Sequence, residues 1–265
     1  MTISNRSRLL LRAGIVTSFI IAMKFVVHFA GAEVISINPL FSGIVAANVF
    51  LLGFLLSGVL TDYKESERLP GELSACLENI TQEVRGIGLA QPAAAVGPGL
   101  AHVAQLSRHI LDWFHKRCRT EDLLDHLNEF TPHIAMMEQW TQATLVARLK
   151  QEQGAIRRII FRIHTIRETS FVATGYLLAD LVTTLLCVGL VLARIEPFYE
   201  SMFFVIVISY IMIFLRLLIR DLDNPFGYYE RHSGEDVSLK PMEETVRRLL
   251  AASTSGHDRK SGATV

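Results

Sequence analysis

The sequence predicts an all-helical membrane protein with four transmembrane helices and a helical cytoplasmic domain, and three observations carry that prediction. The first is the uncharged run from Pro39 to Thr61, followed at once by the charged string Asp62-Tyr63-Lys64-Glu65-Ser66-Glu67-Arg68. As a helix, those ~23 residues rise roughly 34 Å, enough to cross a hydrocarbon core ~30 Å thick. A buried helix of a water-soluble protein is usually shorter and amphipathic. The second is segregation: half of the residues are apolar and the mean hydropathy is +0.33, yet the charges collect outside a few long stretches. The third is the basic flanks of those stretches, at Arg6, Arg8 and Arg12, at Lys64 to Arg68, at Arg157 to Arg167, and at Arg216 with Arg220. Such flanks mark the cytoplasmic ends of spans.

Residues 1–62 are expected to form the first transmembrane hairpin. Its first span, Ala13 to Ala32, follows the three arginines, which places the N-terminus in the cytoplasm. Its length, with no obvious Ala-x-Ala-like cleavage site, makes it a retained segment rather than a signal peptide. Lys24 and His28 interrupt it four residues apart, on one helical face. A lysine at the helix centre costs about 2.5–3.5 kcal/mol on insertion scales. Lys24 therefore either faces a protein or water-lined interior or snorkels from a tilted helix. The connection Gly31 to Asn38 holds one charge, Glu33, and is long enough only for a tight turn.

Residues 63–168 read as the cytoplasmic helical domain. Leu73, Leu77, Ile80 and Val84 recur at helical spacing, as do Leu100, Val103, Ser107, Ile110 and Phe114. The Gly-, Pro- and Ala-rich stretch Gly86 to Gly99 supplies the turn between them. Thr120 before Glu121 and Asp122 marks a helix start, and Pro132 opens a last helix whose stripe runs from Ile134, Met137 and Trp140 to Ile163 and Ile166. Arg157, Arg158, Arg162 and Arg167 stand against that stripe. They serve either as a face that gathers anions or lipid headgroups or as the basic flank of the next span.

Residues 169–220 are the second transmembrane hairpin, with spans Ser170 to Ala193 and Pro197 to about Ile219. Asp180 is the acidic residue in mid-span, and pairing it with Lys24 offsets part of the cost of both charges. Residues 221–252 form a cytoplasmic C-terminal segment in which Asn224-Pro225 stops the helix and a short amphipathic helix carries Met242, Val246, Leu249 and Leu250. The small polar residues 253–265 are expected to be disordered. Both termini then lie in the cytoplasm of a multi-pass protein of the inner (plasma) membrane.

Several function classes are excluded or disfavoured. The 26 basic and 26 acidic residues cancel, which argues against nucleic acid as a partner and leaves a channel open. Cys76, Cys118 and Cys187 lie far apart with no CxxC spacing, so neither a disulfide nor a zinc site is expected. No phosphate loop, GxSxG or HExxH occurs, and the chain is read as neither an enzyme nor a cofactor binder. His102 and His109 share a helical face but lack a third ligand at helical spacing, so no metal is assigned. Asp221-x-Asp223-x-x-x-Gly227 imitates a calcium loop, but its glycine falls one place late and Pro225 takes a ligand position. With Glu230, Glu235 and Asp236 it is a solvated acidic turn or a different kind of cation site.

Two stretches resemble the bestrophin anion channels. Phe50-Leu51-Leu52-Gly53-Phe54, followed by Glu67-Arg68-Leu69-Pro70, is similar to that family's second helix and the Asn-Leu-Pro after it. Asn224-Pro225-Phe226-Gly227 resembles the family's Asn-Pro-Phe-Gly just after the fourth span, and the tail with Val237-Ser238 and Pro241 is similar to bacterial bestrophin-like membrane proteins. The resemblance implies a bestrophin-like fold and a homo-oligomer, a pentamer, that passively conducts chloride or similar small anions through a pore lined by the second transmembrane helix. Phe50 and Phe54 match two aromatic positions of the hydrophobic neck, whereas Ala46 stands where the family has a larger residue, which implies a wider or shorter neck. The run of acidic residues that forms a calcium clasp in animal members is missing after Gly227. From the residues alone, Phe50 and Phe54 lie one turn apart and present one aromatic face, which suits either a dewetting constriction or ordinary helix packing. The rival to a channel is a non-conducting membrane scaffold or sensor of the same fold, with Met137, Trp140 and the basic helix touching a partner.

Overall fold

A computed structural model describes residues 5–168, 173–228 and 236–261. Its helices are α1 (Asn5–Phe29), α2 (Pro39–Ala90), α3 (Gly97–Phe114), α4 (Thr120–Asn128), α5 (Phe130–Glu138), α6 (Ala143–Glu168), α7 (Ala173–Leu192), α8 (Phe198–Leu222) and α9 (Lys240–Ser261). Four of them, α1, α2, α7 and α8, contain stretches long and apolar enough to cross a membrane. The chain is an all-α membrane protein. It divides into two units, and the division falls inside α2 between Lys64 and Glu65.

The membrane unit packs α1, α7 and α8 against one another and against the first part of α2. Its core gathers Ala13 and Ile20 of α1, Leu52, Leu55 and Val59 of α2, Leu186 and Leu190 of α7, and Val205 and Met212 of α8. α1 ends on Gly31, whose φ of +63° suits a residue without Cβ. There the N–H of Gly31 bonds the carbonyl of His28, and that of Ala32 bonds the carbonyl of Val27, both at 3.0 Å. This is the reversal expected of a glycine-terminated helix. The start of α2 passes close to α7, since a Cβ on Gly189 would sit 3.0 Å from the Phe41 ring. Beyond the turn, the two hairpin loops run side by side as two-residue strands, β1 (Ile35–Ser36) and β2 (Ala193–Arg194), paired in parallel with Ile35 opposite Ala193. Segments this short carry no sequence periodicity, and the loops read from sequence as plain turns.

The second unit is built from the rest of α2 with α3 to α6 and α9. Here the structure departs from the sequence reading in two places, and it carries the helix of the uncharged run on past the charged string: α2 continues through Pro70 as one helix of 52 residues. Lys, Glu and Arg are strong helix formers, so charge ends the apolar stretch without ending the helix. The turn predicted over Gly86 to Gly99 shrinks to residues 91–96, held by bonds such as the Ala94 N–H to the Gln91 carbonyl at 2.9 Å. The helix expected from Pro132 to Arg167 is two, α5 and α6, broken after Glu138. Met137 and Val146 are both buried, yet nine residues along one helix turn through about 900°, which would put them on opposite faces.

α9 packs on α3, buries Met242, Thr245, Val246 and Leu249, and reaches α2 through the Thr245 hydroxyl, which donates to Glu78 at 2.9 Å. The amphipathic helix of the C-terminal segment thus packs on helices of its own chain. α9 also continues to Ser261, past the point where disorder was expected. Residues 262–265 of that expected tail lie outside the described residues, as do Glu230 and Glu235 of the acidic cluster.

Candidate functional site

The membrane half of α2 has two unlike faces. Asn48, Leu52, Leu55 and Val59 are buried. The Asn48 amide donates to the Thr183 hydroxyl of α7 at 3.1 Å and to the Met212 sulfur of α8 at 3.4 Å, tying three helices at one level. The other face holds Ala46, Phe50 (77% exposed) and Phe54 (60% exposed). Gly43, Ala47, Gly53 and Ser57 border the two rings and are also exposed. A Cβ added at Gly43 or Gly53 would meet nothing within 4 Å. This small-residue border differs from the exposed side of α7, which is Leu177, Leu178, Leu181, Leu185 and Val188, bulky as a lipid-facing surface is.

The intramembrane charges pair differently from the expectation. Lys24 is fully buried and donates to Glu33 Oε1 at 2.6 Å and to the carbonyl of Ala193. His28 Nδ1 lies 3.3 Å from the same Glu33 oxygen, and its ring stacks on Phe198 with centroids 3.9 Å apart. Burial pushes the Glu33 carboxyl up, but the hydrogen bonds and charges of Lys24 and His28 outweigh it and hold the group below the usual carboxylate range. Asp180 instead pairs with Arg216 of α8. The reason is depth: Lys24 stands five residues from the loop end of α1, whereas Asp180 stands seven from the opposite end of its hairpin, so the two are more than ~10 Å apart along the helix axes. A cavity of about 280 Å³ opens beside the Asp180–Arg216 pair, lined also by Arg220, Asp223 and Tyr176, whose hydroxyl donates to Asp223 at 2.6 Å.

The four tail residues stand just beyond α8. Pro225, Phe226 and Gly227 are buried, Phe226 completely, and Asn224 is partly exposed.

In the second unit the basic face of α6 is largely committed. Arg162 makes a two-pronged pair with Glu65 at 2.9 and 2.6 Å, Arg167 lies over the Trp113 ring at 5.1 Å, and Arg157 bonds Asn128. Met137 is buried, which removes it from the partner-contact surface imagined for the scaffold reading. Burial pushes the Cys76 thiol up to about 12 and that of Cys118 up to about 11, which leaves both poor nucleophiles.

Sequence reasoning missed Asn48, and it named Glu33 and Arg216 without pairing them with Lys24 and Asp180. The signal for Asn48 was its polar side chain inside an uncharged span. The partner of Lys24 was hidden because it lies in a loop rather than on a helix face.

No protein-family model and no curated protein matches the sequence. Solved structures do match. A crystal structure of a bacterial bestrophin homologue from Klebsiella pneumoniae superimposes with a TM-score of 0.72 over 93% of this chain and 97% of that chain, at 18% identity. A point variant of a bacterial bestrophin homologue from Klebsiella pneumoniae gives 0.70 over 93% and 98%, at 17% identity. A structure described as a membrane protein variant gives 0.76 over 91% and 97%, at 16% identity. With four apolar helices and this superposition along nearly its whole length, the chain has the bestrophin-like fold.

Proposed function

We propose that the protein is a channel that passively conducts small anions such as chloride, and that several copies surround a pore lined by α2. The observation that carries this reading is the face of Ala46, Phe50 and Phe54, which its own chain leaves uncovered and which small residues border. Small residues let helices of neighbouring copies approach closely, while the two rings project as an apolar constriction that must wet before an ion passes. The fold of the bestrophin homologues supports a shared pore, and five copies is the number the resemblance implies. Ala46 at the first tier makes the neck wider there. The basic flanks at Arg12, Arg216 and Arg220 support a mouth that opens at the cytoplasmic end of these spans, with both termini in the cytoplasm beneath the inner membrane.

Mass measurement in detergent tests the assembly. Five times the 29.7 kDa chain is expected, and a monomer removes the shared pore. Sidedness is tested by an Ile35→Cys variant lacking the native cysteines, which is expected to label from outside sealed cells. Ala46→Ile narrows the first tier and is expected to lower anion flux in liposomes; an unchanged flux would place the neck elsewhere.

A further inference from the structure

The second unit brings together side chains that the sequence scatters over 32 residues. His102 and His109 lie two turns apart on one side of α3, His126 comes from α4, Glu129 from the α4–α5 junction and His133 from α5. Rings of His102 and His126 meet edge to face at 4.7 Å, and those of His102 and His133 lie 5.1 Å apart. One nitrogen of each of His102 and His126 and one carboxylate oxygen of Glu129 fall within 4.8 Å of one another. We propose that His102, His126 and Glu129 form a binding site for a divalent transition metal of the Zn²⁺ class, with His109 as the residue that orients His126.

The donor set is the one such ions prefer, two imidazole nitrogens and a carboxylate, which leaves a fourth position for water. The hydrogen bonds suit it as well. His102 Nε2 donates to the carbonyl of His126 at 3.0 Å, and His126 Nδ1 lies 2.9 Å from His109 Nδ1. Each ligating ring thus has one nitrogen fixed by a neighbour and the other left for an ion, the arrangement by which outer partners set tautomer and direction. Phe130 stacks on His102 at 5.8 Å and 16°, which holds that ring in plane. Zinc–ligand bonds of about 2.0–2.1 Å place tetrahedral donor atoms about 3.4 Å apart, so binding needs side-chain rotations of about 1 Å, and exposed Glu129 is free to make one. Helical spacing along α3 brings only His109 onto the face of His102; the two other proposed ligands, His126 and Glu129, come from α4 and from the α4–α5 junction.

The test uses the tag-free full-length protein in detergent. Dialysis against Zn²⁺ followed by metal analysis is expected to give one ion per chain, and Co²⁺ in its place is expected to give the visible bands of a tetrahedral site. Saturating Zn²⁺ is expected to raise the unfolding temperature. His126→Gln and the exposed Glu129→Gln are each expected to weaken Zn²⁺ binding at least ~10-fold. His115→Gln, outside the cluster, is expected to leave it unchanged. Glu129→Gln keeps the test decisive where the histidine variant does not fold. Wild type that binds no Zn²⁺, or a Glu129→Gln variant that binds it as tightly as wild type does, would overturn the site.

Discussion

The two faces of α2 between Gly43 and Thr61 are both free of charge, yet the chain treats them oppositely. One face, Asn48, Leu52, Leu55 and Val59, is enclosed by α7, α8 and their neighbours. The other, Ala46, Phe50 and Phe54, is left open. Hydropathy does not distinguish them, because in a membrane apolar side chains suit lipid, a helix partner or a dewetted pore equally well. What separates them is where polarity and small size fall. The enclosed face holds the one side-chain amide of the span, which needs hydrogen-bond partners, and the open face is edged by glycine, alanine and serine.

This contrast makes stability and conduction separable. Leu52→Ala is expected to cost about 2–5 kcal/mol, as for other leucines cut back inside a packed core, and to appear as a lowered unfolding temperature in detergent. Asn48→Ala is expected to cost about 1 kcal/mol, since it loses the Thr183 bond and its polar partners have few alternatives within the bundle. A double-mutant cycle on Asp180→Asn and Arg216→Gln is expected to give a coupling of about 0.5 kcal/mol, the size usual for partly exposed pairs, whereas Lys24→Met with Asp180→Asn is expected to be additive. Coupling between Lys24 and Asp180 would contradict the pairing described above. The smallest stability effect, within about 0.5 kcal/mol for the assembled protein's protomer, is expected at Phe54→Ala, whose ring touches solvent over most of its surface.

How much of this was legible in the sequence follows from the range of each interaction. The four spans were legible because about twenty apolar residues in a row have one explanation, and α9 was foreseen because Met242, Val246 and Leu249 keep helical spacing. The break between α5 and α6 was not, because the apolar residues read as one stripe until burial fixes which of them share a face. Phe50 and Phe54 were legible as a face of α2, but whether that face is covered depends on where α7 and α8 pack, and helix spacing carries no information on that. The Lys24 pair and the histidine cluster were not legible for the same reason: Glu33 sits in a loop, and His126 reaches His102 only once α3 and α4 have packed.

The central claim is that the open face of α2 sets the barrier to anions. The most direct measurement is chloride efflux from liposomes carrying the assembled protein, for wild type and for Phe50→Ala and Phe54→Ala. The account predicts efflux above the leak of empty liposomes for wild type and faster efflux for both variants, with Leu52→Ala altering stability but not the flux per folded assembly. If the protein assembles and neither wild type nor either phenylalanine variant passes chloride, bromide or nitrate above the leak, the channel reading is contradicted and a non-conducting scaffold of the same fold takes its place.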